Sequence, residues 1–347
     1  MSSYRSRKEC LEWLRANPKT IAPGQDVETS VFRPEDAEGV ARLYHAIYGD
    51  TFAIDSVYDP VRIAEANLGP DLHQYVARTP SGEVIGLSAL FRAAPGTGIL
   101  EAGGLMILPG YRGSSLVFTL FRAMMEELPR GLGLNALFGQ SVCDHLMTQK
   151  LTRRFGCGSF ALELESMPAR PEASHDGVGG RISLLDEFRV YHDVPHTVFL
   201  PAEYAGWLQE TYRTHGLTRE FGAGQPLAGS TISTVETMVA ASVAKLVVQS
   251  PGEDLAGSIK AMEHAHPGCH VYQLRLPLTH PGLPAAVGAA RRLGYFLGGL
   301  LPLWTDRDVL LLQKVANEPD FARPQLLTER AKQLLECVRQ DRLTVQP

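Results

Sequence analysis

Pro109-Gly110-Tyr111-Arg112-Gly113-Ser114-Ser115 stands between an apolar stretch, Leu105–Leu108, and the apolar-rich run Leu116–Leu128. The spacing predicts a strand that stops at a proline, a glycine-bearing turn, and a helix whose first N–H groups point back at that turn. Unpaired donors and the positive end of a helix dipole together make a seat for a phosphate or pyrophosphate. Two residues nearby in sequence could move protons. Glu101 lies on the strand feeding the turn, where it can act as a base or be only a solvated carboxylate. His145, in Cys143-Asp144-His145, follows a second predicted strand, Ala136–Val142; it can serve as acid or base, or merely cap a helix or fill a loop. Cys143 could accept an acyl group as a thiolate, but only His145 is near enough in sequence to lower its pKa, so an inert buried thiol is expected.

Two other clusters invite a functional reading and do not sustain it. His264-Ala265-His266-Pro267-Gly268-Cys269-His270 gathers metal-capable side chains, yet Pro267-Gly268 is a turn between a helix and a strand, and no metal is expected. Gly96-Thr97-Gly98 is a hairpin turn and not a nucleotide loop, because no Gly-Lys-Ser/Thr follows.

Composition narrows the class. The chain has 347 residues, more than one core usually serves, so two domains are expected. A formal charge of -5 without a dense Lys/Arg cluster speaks against nucleic acid, and no apolar run is long enough to span a membrane. The amphipathic start (Leu11, Trp13, Leu14) does not read as a secretory signal. Five scattered cysteines without a Cys-x-x-Cys suit a reducing compartment, and a cytoplasmic protein is expected.

The elements that must position the turn follow from periodicity and punctuation. A short helix is predicted over residues 4–16, a strand over Val27–Arg33, and a helix opening at Pro34-Glu35-Asp36 with Val40, Leu43, Tyr44 and Ile47 on one face. A helix over Pro60–Asn67 precedes strands Gln74–Arg78 and Glu83–Phe91, joined by Pro80-Ser81-Gly82. Ile99–Leu108 is the strand entering the turn; Met147–Phe155 reads as a helix and Ser159–Glu165 as a strand. Met167–Gly180 carries no periodicity and reads as a linker. Beyond it, strands at Thr197–Leu200, Thr234–Ala240, Ala244–Gln249, Val271–Leu276, Phe296–Leu303 and Val309–Val315 alternate with helices at Pro201–His215, Asp254–His264 and Pro284–Leu293. The order partly repeats, which suggests two related α+β halves, with a last amphipathic helix through Leu334 and Val338.

Phe32-Arg33-Pro34-Glu35-Asp36, the hairpin Gly82-Glu83-Val84-Ile85-Gly86, the strand and turn Leu105–Gly113, and Arg154-Phe155-Gly156 resemble the GNAT acyltransferase superfamily from Val27 to Glu165. Leu293–Gly299 and Asp308–Gln313 look like a degenerate second copy, and the whole is similar to bacterial tandem-GNAT proteins. The resemblance implies an α+β fold of two tandem GNAT-like acyl-CoA N-acyltransferase domains, each a mixed, mostly antiparallel sheet flanked by helices. The layout would be a lead-in over 1–26, an acetyltransferase domain over 27–166, a linker over 167–180, a degenerate domain over 181–318 and a C-terminal helix over 319–347.

The same resemblance implies acetyl-CoA as co-substrate. Its pantetheine would pair along Leu105 and Ile107, and its pyrophosphate would rest on Arg112, Gly113, Ser114, Ser115 and Val117. The family turn, Arg/Gln-x-x-Gly-x-Gly/Ala, is kept at Arg112 but altered at Ser115 and Val117; Ser115 keeps its N–H, whereas the branched Val117 is expected to crowd the phosphate. Glu101 takes the place of the family's carboxylate base. The tyrosine acid that relatives carry near Thr152 is missing, which leaves His145 as its substitute. The implied activity is acetyl transfer to a small amine or amino acid derivative by direct attack in a ternary complex, with a homodimer compatible. The alternative is a catalytically weak or inactive protein acting as an acyl-CoA sensor or interaction scaffold. In the second half, Ser250-Pro251-Gly252-Glu253-Asp254 would repel a pyrophosphate; Arg275, Tyr295 and Trp304 are read as filler first and as acceptor-pocket lining second.

Overall fold

A computed structural model describes residues 4–113, 115–169 and 180–345. The chain forms two compact units, Met1–Ala93 with Leu100–Leu137, and Ala94–Ile99 with Phe138–Pro347. Each is α+β with a mostly antiparallel sheet.

In the first unit, strands β1 (Glu28–Val31), β2 (Leu72–Arg78), β3 (Val84–Phe91) and β4 (Ile99–Ile107) lie in that order, each antiparallel to the next. One face of the sheet is covered by helices α1 (Arg7–Ala16), α2 (Ala37–Tyr48) and α3 (Pro60–Leu68). Sequence explains their starts. Ser6 and Glu9 form a reciprocal cap on α1, and Asp59 caps α3 with Pro60 at its first position, where a missing N–H costs nothing. Val40, Ala41, Leu43 and Tyr44 of α2 then bury against Leu11, Leu14, Ile63, Val76, Val84 and Leu87. The opposite face carries a smaller cluster of Ala77, Ile85, Ile107, Tyr111, Leu116 and Leu120 beneath the phosphate-type turn.

Strand β4 is not regular. Leu87 faces Met106 and Ala89 faces Gly103, so β4 has one residue more than β3 in that interval. The extra residue is accommodated at Gly104, whose φ of 63° is a conformation side chains resist. Helix α4 (Leu116–Arg122) begins as expected, but the run does not continue as one α-helix to Leu128. A π-type segment, Ala123–Glu127, intervenes before α5 (Leu128–Leu132). Pro129 explains it: without an N–H it cannot bond the carbonyl of Met125, and the turn before it widens.

The second unit holds β5 (Ala136–Val142, from Phe138 onward), α6 (Met147–Arg154), β6 (Gly158–Met167) and β7 (Ile182–Val190). Then come β8 (His196–Val198), α7 (Ala205–Thr214), β9 (Arg219–Phe221), β10 (Ile232–Met238), β11 (Val243–Ser250) and α8 (Leu255–Ala265). The chain continues with β12 (Val271–Pro277), α9 (Leu283–Arg291), β13 (Phe296–Leu301), β14 (Val309–Val315) and α10 (Glu329–Thr344). The spatial order is β5-β7-β6-β13-β14-β12-β11-β10. A strand, a helix and a hairpin whose second strand returns beside the first thus occur twice, as β5-α6-β6-β7 and as β12-α9-β13-β14.

The outer strands of the two hairpins meet at a single pair, Gly299 with Ala161, where a Cβ on Gly299 would lie 2.4 Å from the Phe160 carbonyl oxygen. Beside that contact the fully buried Gln313 amide replaces the missing ladder: it donates to the carbonyls of Leu162 (2.9 Å) and Leu297 (3.1 Å) and accepts the Leu164 N–H (2.8 Å).

Strand β7 was absent from the sequence reading, because its run Ile-Ser-Leu-Leu-Asp-Glu-Phe-Arg-Val breaks apolar alternation. Its acidic pair, Asp186 and Glu187, is buried all the same. The expected linker now begins after β6 has ended at Met167, and its residues 170–179 lie outside the described residues.

Candidate functional site

The turn after β4 is held from below. The Tyr111 hydroxyl donates to the Ala22 carbonyl (2.7 Å), Leu108 N–H to Ile85 (2.8 Å), and Arg112 Nε to the Ile107 carbonyl (3.1 Å). Thr119 N–H returns to the Ser115 carbonyl (3.0 Å), which starts the helix. Among the described residues, the main-chain N–H groups of Gly113, Ser115 and Val117 have no hydrogen-bond partner, and Gly113 and Ser115 are exposed. Such donors at a helix start favour an anion.

Val117 does not stand free in the turn. It is partly buried and packs on the cluster of Ile107, Tyr111, Leu116 and Leu120, as does Leu105. Arg112 is exposed, with its Nε committed to Ile107. Ile107 itself is buried opposite Gly86. The expectation for Ser114 lies outside the described residues. A cavity of about 270 Å³ in this unit, bounded by Lys19, Glu35, Glu38, Arg42 and Glu83, reaches Leu108 at the entry to the turn but not Gly113, Ser115 or Val117.

The turn after β11 is closed. After β11, the N–H groups of Gly252, Glu253 and Leu255 bond Thr231 Oγ1 (3.0 Å), Gly229 O (2.9 Å) and Gly252 O (3.2 Å). Asp254 Oδ1 accepts the Thr231 N–H (2.6 Å). The seat is occupied by the chain itself, and charge repulsion is only part of why it would reject a pyrophosphate.

Glu101 is partly buried on β4, opposite Phe91, in the first unit. His145 belongs to the second unit. Its Nδ1 accepts the N–H of Met147, the first residue of α6, at 3.3 Å, and Nε2 of the half-exposed ring lies 3.9 Å from Asp144 Oδ1. Thr152 is buried and donates to Glu187 Oε2 (2.7 Å), as does Ser141 (2.5 Å). Burial outweighs these two bonds and pushes the Glu187 carboxyl up to about 7. The Cys143 thiol is pushed up to about 12 by burial and by the charge of Glu187, so it stays protonated and is no nucleophile.

Glu187 escaped sequence reasoning along with β7. Its folded pKa exceeds the ordinary 4.5, so its contribution is intact below pH 4.5 and is lost as pH rises through about 7, where a buried group must ionise. Glu187→Gln keeps an acceptor for Ser141 and Thr152 and is expected to remove that loss. Above pH 7 it should be more stable than the parent by on the order of 3 kcal/mol, with little difference at pH 4.5, as read from urea unfolding at both pH values.

The remaining sequence candidates fall out as structure. Gly96-Thr97-Gly98 is pinned by the Asp306 carboxylate, which accepts the N–H groups of Thr97 and Gly98 (2.9 Å each). His270 Nε2 lies 2.5 Å from Glu165 Oε2. Tyr295 is core, its hydroxyl donating to Glu263 (2.9 Å). Arg275 lies 4.5 Å over the Trp304 ring in a buried polar cluster.

No family model matches the sequence, and no curated protein does. Solved structures do, and acetyltransferases, some of them described as of the GNAT family, match over about half of this chain. One from Streptococcus pneumoniae is 14% identical, with 48% of this chain and 99% of that one covered and a TM-score of 0.39. The spermidine N-acetyltransferase of Vibrio cholerae, solved with CoA and spermine, is 11% identical over 47% of this chain and 95% of that one, with a TM-score of 0.37. The ribosomal-protein-S18-alanine N-acetyltransferase of Escherichia coli is 11% identical over 49% and 96%, also at 0.37. Among the described residues no helix is long and apolar enough to cross a membrane.

Proposed function

We propose that the chain is an acetyl-CoA-dependent N-acyltransferase acting on a small amine or amino acid derivative by direct attack in a ternary complex. The observation that carries this reading is the set of amides at Gly113, Ser115 and Val117 that have no partner among the described residues, set against the closed turn after β11. The pyrophosphate rests on those amides, with Arg112 beside it. The pantetheine follows Leu105 and Ile107, next to the widened stretch of β4 at Gly104. Glu101 takes the ammonium proton, and His145, its Nδ1 held by Met147, is the second proton carrier of the proposal. The amide donors bind the cofactor, while proton transfer lowers the barrier for attack on the thioester; an acyl-enzyme at Cys143 is not part of the scheme. The second copy, from residue 181 to 318, is non-catalytic.

Ser115→Pro tests the seat alone. Ser115 has φ −63°, which proline adopts, so the substitution removes its N–H and its hydroxyl at an unchanged φ, and Ser115→Ala, which keeps the N–H, is the control for the hydroxyl. A lost hydrogen bond to a charged group is worth about 1.5–3 kcal/mol, so CoA affinity should fall roughly 10- to 100-fold with the melting temperature nearly unchanged. Unaltered CoA affinity would place the pyrophosphate elsewhere. Thiol release from acetyl-CoA across a panel of small amines then separates an enzyme from a sensor: binding without release favours the sensor.

A further inference from the structure

A second site can be built from side chains that the transferase reading does not use. In the second unit Glu163 of β6, Asp186 of β7, Lys245 of β11, and Gln273 and Arg275 of β12 are each more than nine-tenths buried. Lys245 lies in register beside Gln273, which puts both on one face, and the charges of Lys245 and Arg275 act on both Glu163 and Asp186. Trp304 closes the cluster, with the Arg275 guanidinium 4.5 Å over its ring and Phe138 against it at 4.8 Å. Some of the polar atoms are satisfied: Gln140 Nε2 donates to Asp186 Oδ1 (2.9 Å), Gln273 Nε2 to Ser166 Oγ (3.3 Å), and Arg275 Nη1 lies 3.7 Å from the exposed Glu236.

Four buried atoms are not satisfied. Asp186 Oδ2, Gln273 Oε1, Arg275 Nε and Trp304 Nε1 have no hydrogen-bond partner among the described residues. Lys245 is buried beside them, and its charge acts on Glu163 and Asp186. Buried polar atoms are paired in the great majority of cases, and each one left alone costs about 1–3 kcal/mol. Four in one cluster describe the outline of something that belongs there.

The charges say what. Burial, reinforced by Glu163, holds the Asp186 carboxyl far above the usual carboxylate range and therefore neutral. Glu236, 3.7 Å from Arg275, is more than half exposed and screened by water, so inside the cluster Lys245 and Arg275 face Glu163 alone, which leaves one buried positive charge over. We propose that this cluster binds a small carboxylate, one that also carries a hydroxyl or amino donor for Gln273 Oε1. A phosphate dianion would bring a second negative charge against Glu163 with nothing to meet it. The proposal does not depend on acetyl transfer and stands if that reading fails.

Calorimetric titration of the full chain with glycolate, acetate and inorganic phosphate, at ionic strength held constant with sodium chloride, tests it. Glycolate is expected to bind saturably, acetate more weakly, and phosphate not at all. Trp304→Phe keeps a ring over Arg275 and loses only the N–H, so glycolate affinity should fall about tenfold. The unaltered protein gives an independent reading: of its three indole N–H resonances, one should shift with glycolate and be missing from the Trp304→Phe spectrum. No saturable binding of glycolate would mean that water fills the cluster, and equal binding of phosphate would mean a mere charge sink. Either result, or an indole signal that does not move, overturns the proposal.

Discussion

Asp308→Ala is expected to cost about 3 kcal/mol of stability, the lower end of the scale of breaking a buried ion pair. Asp308 and the Arg219 side chain are both fully buried. Arg219 Nε donates to Asp308 Oδ2 (2.7 Å) and Nη2 to Oδ1 (3.1 Å), the Leu303 N–H adds a third bond (3.0 Å), and His196 Nε2 stands 3.4 Å away. Arg219 reaches Asp193 as well (2.8 Å), so one carboxylate fixes the starts of β8, β9 and β14. Removing it leaves the buried guanidinium with Asp193 as its one remaining carboxylate among the described residues.

The pH dependence has a definite sign. Burial raises the Asp308 pKa, yet the bonds from His196 and Arg219 outweigh it and hold the group at about 2, below the ordinary 3.8. Its contribution is present above pH 3.8 and is lost as pH falls through about 2. Urea unfolding at pH 7 and pH 3 should show the parent losing stability while the alanine variant, already without the carboxylate, loses less from this source. Equal losses would mean that Asp308 is not the group responsible.

Glu101→Gln is expected to lower kcat about 10²- to 10⁴-fold while leaving acetyl-CoA affinity within about twofold, because the change removes a proton acceptor and retains shape. Raising the pH should rescue part of the rate, since more amine then arrives already deprotonated. Unchanged turnover in both Glu101→Gln and His145→Ala would show that neither carries the proton.

Much of this was legible in the residues. Val40, Leu43, Tyr44 and Ile47 share a helical face and do form α2, and Leu108-Pro109-Gly110 ahead of an apolar run does end β4 and open a helix. What escaped was decided at a distance or by fine phase. Strand β7 was hidden because its buried Asp186 and Glu187 look like surface residues until Gln140, Ser141 and Thr152 are seen to meet them. Val117 was expected to crowd the phosphate; the phase of α4, not visible from residue type, turns it onto the Ile107 and Leu120 cluster. The closed seat after β11 depends on Gly229 and Thr231, which no local motif ties to Gly252. The Gly103-Gly104 pair did carry a signal for the irregularity in β4, since adjacent glycines in a strand mark a bulge.

One titration bears on all of this most directly: acetyl-CoA into the full-length chain, followed by calorimetry, beside the Ser115→Pro variant. Saturable one-to-one binding to the unaltered chain, weakened at least tenfold in the variant, is the expected result. Absence of heat at millimolar acetyl-CoA, or equal affinity in both proteins, would contradict a cofactor seat at Gly113, Ser115 and Val117.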